Sequence, residues 1–390
     1  MTSLNTNKRA GQWHNTGITQ MERIRVAVVM AGGSGERFWP LSRRSTPKQL
    51  LPLTESGQTL LQESVERVAG VIPPERVFII TSAQIRDAAA AACSVPGENV
   101  LAEPCKRNTA GCLAFAAAHV MARFGVPAEQ ITMTVLTADH RIGDADAFCD
   151  CVRAALETVE RQPALGVVGI APTRPETGYG YIELPEDAAP AFVSPEGVGV
   201  YPVLRFHEKP DAEKAAEFVA SGRYLWNSGM FFWTLSTFLA ELRHASPGHA
   251  AAVTAMTDAL RRNDAARVDA EFTALHNISI DYALMEKARN IVMARGDFEW
   301  EDIGSWEAVG RIFPHDENGN VVNGDAVLID TRDSIVFKTP AAADIAVATL
   351  GLDNIVVVVT GDAVLVMPRD RAQDVRKVVE ELRNRGSEQL

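Results

Sequence analysis

The chain is predicted to be an α/β protein: a doubly wound, mostly parallel sheet followed by a small C-terminal β-domain closed by a helix. Three observations predict this. Short apolar runs rich in β-branched residues alternate with helical patterns from residue 25 to about residue 170, which places strands side by side with helices on both faces. Glycine-rich or acidic loops follow the ends of these runs, where ligands collect in such sheets. After about residue 310 the pattern changes to five short strand-like runs with hardly any helix between them.

The elements follow in order. Residues 25–30 (RVAVVM) form a compact apolar run and read as a buried strand. Thr59 opens a helix, with Gln62 three residues on completing a capping box and Leu61, Val65 and Val68 on one face. Residues 77–81 (VFIIT) form the next strand. An alanine-rich helix covers about 83–92, and Asn108 caps another over about 109–123. The strand at 131–136 ends at Thr137-Ala138-Asp139-His140, and a helix (145–160) and a strand (166–170) come after it. In the second region the turn cluster at 316–320 precedes runs at 325–330, 334–338, 344–349, 354–359 and 363–367. Asp370 caps a last helix in which Val375, Val378, Val379 and Leu382 make an apolar stripe. The expected division is a disordered leader at 1–22, a catalytic domain at 23–310 and a β-domain at 318–390.

With 390 residues, 46% of them apolar and 23% charged, the chain is ordinary globular material. Its net charge of −12 argues against a nucleic-acid or anionic-membrane surface. No run of eighteen apolar residues is present, and the polar first twenty residues carry no apolar core of a secretory signal. Five cysteines without a C-x-x-C pair read as reduced thiols, so the expected location is cytoplasmic.

Positive charge is concentrated in one place. Between Glu36 and Lys48 lie Arg37, Arg43, Arg44 and Lys48. They follow Ala31-Gly32-Gly33-Ser34-Gly35, whose glycines let the backbone approach a phosphate and aim N–H groups at it. No Gly-Lys-Ser/Thr follows, so this is not a P-loop, and Phe38 stands where a dinucleotide turn needs its third glycine. Pro40 forbids a helix running uninterrupted from the glycines. The segment therefore wraps its ligand as a basic coil, with Arg37 as a bidentate fork and Lys48 as a point charge on phosphate.

Met30 to Lys48, MAGGSGERFWPLSRRSTPK, resembles the signature of the sugar nucleotidyltransferases, and within them the mannose-1-phosphate guanylyltransferases. The similarity continues in order through E-P-C-K-R-N-T-A (103–110), T-A-D-H (137–140), T-G-Y-G-Y-I (177–182), F-H-E-K-P (206–210), W-N-S-G-M-F (226–231), S-I-D-Y-A-L-M-E (279–286) and W-E-D-I-G-S-W (300–306). It implies a Rossmann-like catalytic domain and a β-helix-like C-terminal domain. It implies nucleotide contacts from the glycine loop and from Glu103, Arg107, Asn108 and Thr109. It also implies sugar contacts from Gly178, Tyr179, Glu208 and Asn227, and a sugar-phosphate contact from Lys209.

Asp139 and Asp302 are implied to bind Mg²⁺, a hard cation suited to one or two carboxylates plus phosphate oxygens. The substrates implied are GTP and mannose 1-phosphate, and a homodimer is compatible with the family. A phosphomannose isomerase activity is not expected, since bifunctional relatives carry a further domain beyond this length. A sugar phosphate is already largely a dianion at neutral pH, so no general base is needed, and Arg37, Lys48 and Lys209 are the expected catalytic cations. The alternatives are another base or sugar, or a non-catalytic nucleotide-sugar sensor on the same scaffold.

Overall fold

The computed structural model describes residues 23–33 and 35–390; the expected leader at 1–22 and Ser34 lie outside them. The first unit is built on an eleven-stranded sheet. From one edge its order is Val100–Glu103, Val77–Ser82, Ile24–Met30, Ile131–Thr137, Tyr224–Thr234, Leu165–Ile170, Ile291–Gly296, Gly199–Pro202 and Phe192–Val193. The strands from Val100–Glu103 to Ile131–Thr137 are mutually parallel, as are Leu165–Ile170 and Ile291–Gly296. Tyr224–Thr234 runs against both groups and joins them. A short flap, Tyr181–Glu183 with Arg205–His207, pairs with its first residues.

The alternation of the strand Ile24–Met30 explains why both faces are covered. Val26 and Val28 point into one core with the helices Asn108–Phe124, Leu235–Ala245 and Pro247–Arg261. Ala27 and Val29 point into another with Leu60–Val68 and Ala145–Arg161. A strand apolar on both sides is what a sheet sandwiched between helices demands.

The capping box forms as expected: Thr59 Oγ1 accepts from the Gln62 amide at 3.2 Å, and Gln62 Oε1 accepts from the Thr59 amide at 3.1 Å. Two expected caps do not form. Asn108 is the first residue of its helix, at φ 58°, and its Oδ1 accepts from the adjacent Thr109 amide instead. The last helix, Val375–Asn384, is preceded by a 3₁₀ segment, Arg369–Asp374, so Asp370 lies a turn too early to cap it. Its stripe is narrower than expected: Val375 and Val379 are buried while Val378 is exposed.

The C-terminal unit stacks short parallel rungs. Val321–Asn323 pairs with Ile335–Lys338, which pairs with Ile355–Val359, and Val327–Ile329 pairs with Ala348–Leu350. The antiparallel strand Val364–Pro368 ends the stack. Ile335, Val356, Val358, Leu365 and Val379 share a core with Phe38, Trp39, Leu51 and Trp306. The β-domain therefore packs directly on the glycine-loop segment. Among the described residues, no helix is long and apolar enough to cross a membrane.

Candidate active site

The glycine loop and the first acid start at the same level of the sheet. Met30 and Thr137 are the last register partners of two neighbouring parallel strands, and the Ala138 amide donates to the Met30 carbonyl at 3.1 Å. Ala31 is buried and anchors the loop, its carbonyl accepting from Gln49 Nε2 at 2.7 Å and Thr81 Oγ1 at 2.9 Å. Gly35 then turns at φ 61°, so close to Lys48 that a Cβ on it would stand 2.7 Å from the Lys48 amide nitrogen.

The second acid arrives by a two-residue ribbon. Trp300–Glu301 pairs antiparallel with Arg141–Ile142, directly after Asp139-His140, with Glu301 opposite Arg141. The next residue, Asp302, is thereby set down beside Asp139. Lys48 marks the meeting point: its ammonium donates to Asp139 Oδ2 at 2.9 Å and to the main-chain oxygen of Asp302 at 2.5 Å. Lys48 is only 7% exposed, so this ammonium is held between the acids rather than free over the cleft.

Tyr179, expected at the sugar, is instead buried behind the acids, its hydroxyl 2.8 Å from both Glu301 Oε1 and Asp302 Oδ1. Burial, then the two neighbouring carboxylates, raise its pKa, so it stays a neutral donor. Glu301 is in turn clamped by Arg311, at 3.1 and 2.9 Å, and by Arg174, at 3.2 Å. Neither arginine lies in a motif, and nothing in the local sequence marks them.

The electrostatics differ between the two acids. Burial pushes the Asp139 carboxyl up, but Lys48 and His140 outweigh it and hold it below the usual range. Burial wins at Asp302, whose pKa is raised. His140 is pushed down by burial to about 4 and is neutral at neutral pH. Arg37 completes the cluster. A Cβ at Gly304 would lie 3.1 Å from Asp302 Oδ1 and 3.4 Å from Arg37 Nη1, so both groups flank that glycine.

This donor set fits a divalent cation. Lys48 draws the Asp139 carboxylate and the main chain of Asp302 to one point, and Asp302 Oδ2 makes no protein hydrogen bond among the described residues. No group of three or more His, Cys, Asp or Glu able to hold a metal occurs among those residues. Two carboxylates completed by phosphate and water are what Mg²⁺ prefers.

A second cluster lies over the flap. Glu208 pairs with Lys209, which sits at φ 47°. A Cβ on Gly180 would stand 2.7 Å from Glu208 Oε2 and 3.5 Å from Asn227 Nδ2, so that glycine keeps the space above both open. Asn227 Nδ2 donates to Asp281 Oδ1 at 3.1 Å, and Asn227 Oδ1 accepts from the Gly229 amide at 3.0 Å. Burial and Glu208 push the Asp281 carboxyl up to about 6. Gly178 is exposed, its amide bonded to Glu176 Oε1 at 3.1 Å.

The residues expected at the nucleotide divide. Gly32, Gly33 and Glu103 line one cavity of about 450 Å³, and Glu103 Oε1 is buried with no hydrogen-bond partner among the described residues. Arg107 donates from Nε to the Thr273 carbonyl at 3.0 Å, and Thr109 Oγ1 accepts from the Ile280 amide at 2.7 Å. Those two side chains tie their helix to Thr273 and to Ile280, next to Asp281, and are not among the residues lining the cavity.

The chain is similar to known proteins over both units. A family model described as nucleotidyl transferase matches residues 26–319, and one described as a MannoseP isomerase/GMP-like β-helix domain matches residues 324–382. A mannose-1-phosphate guanylyltransferase of Klebsiella pneumoniae is 38% identical over 371 residues, covering 93% of this chain and 74% of the relative. One from Escherichia coli (strain K12) is 39% identical over 368 residues, covering 92% and 73%. A solved chain from Thermus thermophilus, described as a mannose-1-phosphate geranyltransferase, superposes with a TM-score of 0.79 at 36% identity, covering 93% of this chain and 100% of that one.

Proposed function

The chain belongs to the nucleotidyl transferase family, and on that premise we propose that it transfers GMP from GTP to α-D-mannose 1-phosphate, forming GDP-mannose and pyrophosphate. The observation that carries this reading is the meeting of Asp139 and Asp302 at Lys48 beside the glycine loop, with the polar cluster of Asn227 and Asp281 on the neighbouring strand side. Asp139 and Asp302 would hold Mg²⁺, which when bound neutralises and aligns phosphate oxygens.

The chain's own groups supply the rest. The loop amides face the phosphates. Arg37 takes up charge on the departing pyrophosphate. Lys48 holds the two acids in register, and Tyr179 fixes Asp302. Glu208 and Asn227 accept and donate to hexose hydroxyls, while Lys209 places the sugar phosphate, whose oxygen attacks the α-phosphorus in line as the bond to pyrophosphate breaks. Lys209→Ala is expected to raise the KM for mannose 1-phosphate about tenfold or more and to move the KM for GTP less than twofold; equal changes in both would remove Lys209 from the sugar phosphate.

Glu103 supports guanine as the base. As an anion, its carboxylate, whose Oε2 lies beside Gly32, can accept from the adjacent N1–H and 2-amino donors that guanine alone presents, whereas uracil and thymine set a single donor between two acceptors. Burial raises this carboxyl to about 7. Below that pH it carries a proton, which opposes guanine's donors; above it the anion is free to accept. The KM for GTP should therefore rise as pH falls from 8 to 6, by at most about tenfold per unit. Glu103→Gln should flatten this dependence and cut the preference for GTP over UTP. The test of the whole reading is pyrophosphate release from GTP, UTP and dTTP with mannose 1-phosphate. GTP is expected to exceed the others by at least about a hundredfold in kcat/KM, and equal use of UTP would overturn it.

A further inference from the structure

The glycine-loop segment is gripped from the far end of the chain. Arg37 Nη1 donates to Gln373 Oε1 at 3.1 Å, and Arg383 Nη2 donates to Glu36 Oε1 at 2.8 Å. Gln373 lies in the 3₁₀ segment Arg369–Asp374 and Arg383 in the helix Val375–Asn384. Positions 376, 379 and 383 recur at helical spacing and share a face. Two of them, Val379 and Arg383, line the same cavity as Gly32, Gly33 and Glu103. The C-terminal domain therefore forms a wall of the nucleotide cavity.

Arg376 stands on that face, three residues beyond the side chain that holds Arg37. It is exposed and makes no ion pair among the described residues. The nearest acid in sequence, Asp374, is already taken by Arg371 at 2.6 Å and Lys377 at 2.8 Å. After burial, the largest influence lowering the Arg37 pKa is the charge of Arg376. The two guanidiniums repel each other, and a polyanion between them would turn that repulsion into attraction.

We propose that the C-terminal helix completes the nucleotide site, Arg376 joining Arg37 as a second cationic ligand of the β- and γ-phosphates that leave as pyrophosphate. This rests on the nucleotidyl-transfer reading above and extends it: the β-domain then contributes a substrate contact.

The test compares the full-length wild type, Arg376→Gln and Arg376→Lys in both directions, GTP with mannose 1-phosphate and GDP-mannose with pyrophosphate. Arg376→Gln is expected to raise the KM for pyrophosphate about tenfold, with the KM for GDP-mannose and mannose 1-phosphate within about twofold, and Arg376→Lys to recover part of the loss. The thermal midpoint of Arg376→Gln should hold or rise, because a like charge has been removed beside Arg37. A pyrophosphate KM unchanged in Arg376→Gln overturns the proposal. So does a lowered midpoint, which would make Arg376 a packing residue. An inactive wild type would instead overturn the reading on which the proposal rests.

Discussion

Asp302→Asn is expected to lower turnover by about a thousandfold while leaving the fold intact. The amide has the carboxylate's shape, and the Lys48 bond is to the main-chain oxygen of residue 302, which the substitution keeps. The Tyr179 hydroxyl can still donate to the remaining side-chain oxygen. What disappears is the negative charge that a divalent cation needs. Burial raises the Asp302 pKa, so its anion is penalised in the folded protein at neutral pH, and removing it should leave the thermal midpoint unchanged or slightly higher. Steady-state kinetics with a melting curve separate the two effects. Turnover near wild type would remove Asp302 from the metal, and a collapsed midpoint would make it a structural residue.

The contrast between Asp302 and its neighbours shows how far the sequence is legible. Strand 25–30 and the glycine loop can be read because each is a local pattern, an apolar run and a turn; the acid after the next central strand is read from the resemblance of its motif. The juxtaposition of residues 139 and 302 can only be posed as a condition. It is met by a ribbon of two residues per strand, too short to leave any periodicity. Tyr179 sits in the T-G-Y-G-Y-I element, whose resemblance to the family implies a sugar contact. Its ring instead packs against Trp226 and Trp300, which turns the hydroxyl toward Glu301 and Asp302.

Arg174 and Arg311 are invisible in the sequence for the same reason. They act on Glu301, the variable position of its motif, from separate segments. Arg107 and Thr109 show the opposite case. The motif reads as a nucleotide element, whereas these two side chains hold backbone groups 166 and 171 residues away. The closing helix, on its apolar stripe alone, reads as a lid on its own small domain. The stripe does pack there, yet Arg383 on the adjacent face reaches Glu36 in the glycine-loop segment. A helical wheel gives the faces without saying what each one meets.

Gly35→Ala carries the second large effect, and its cause is backbone geometry. At φ 61° an alanine costs about 1–2 kcal/mol against its preferred conformations. Its methyl would stand 2.5 Å from Lys48 Cβ and 2.7 Å from the Lys48 amide nitrogen, neither of which is the flexible end of a side chain. The Gly35 carbonyl is also fixed, accepting from the Phe38 amide and Ser42 Oγ at 2.8 Å each. The loop and the residue carrying the ammonium must separate, and the Lys48 contacts with Asp139 and Asp302 move with them. A displacement near 1 Å in such a site costs about a hundredfold in rate, so turnover should fall at least that far while the thermal midpoint drops by only a few degrees. Gly33→Ala is the control within the same loop. A Cβ there meets nothing within 4 Å and φ is not left-handed, so stability should hold, and any loss should appear in the KM for GTP, where the added methyl meets the incoming phosphates. If Gly35→Ala turns over like the wild type, the contact between loop and lysine is dispensable and the acids are held together by the ribbon alone.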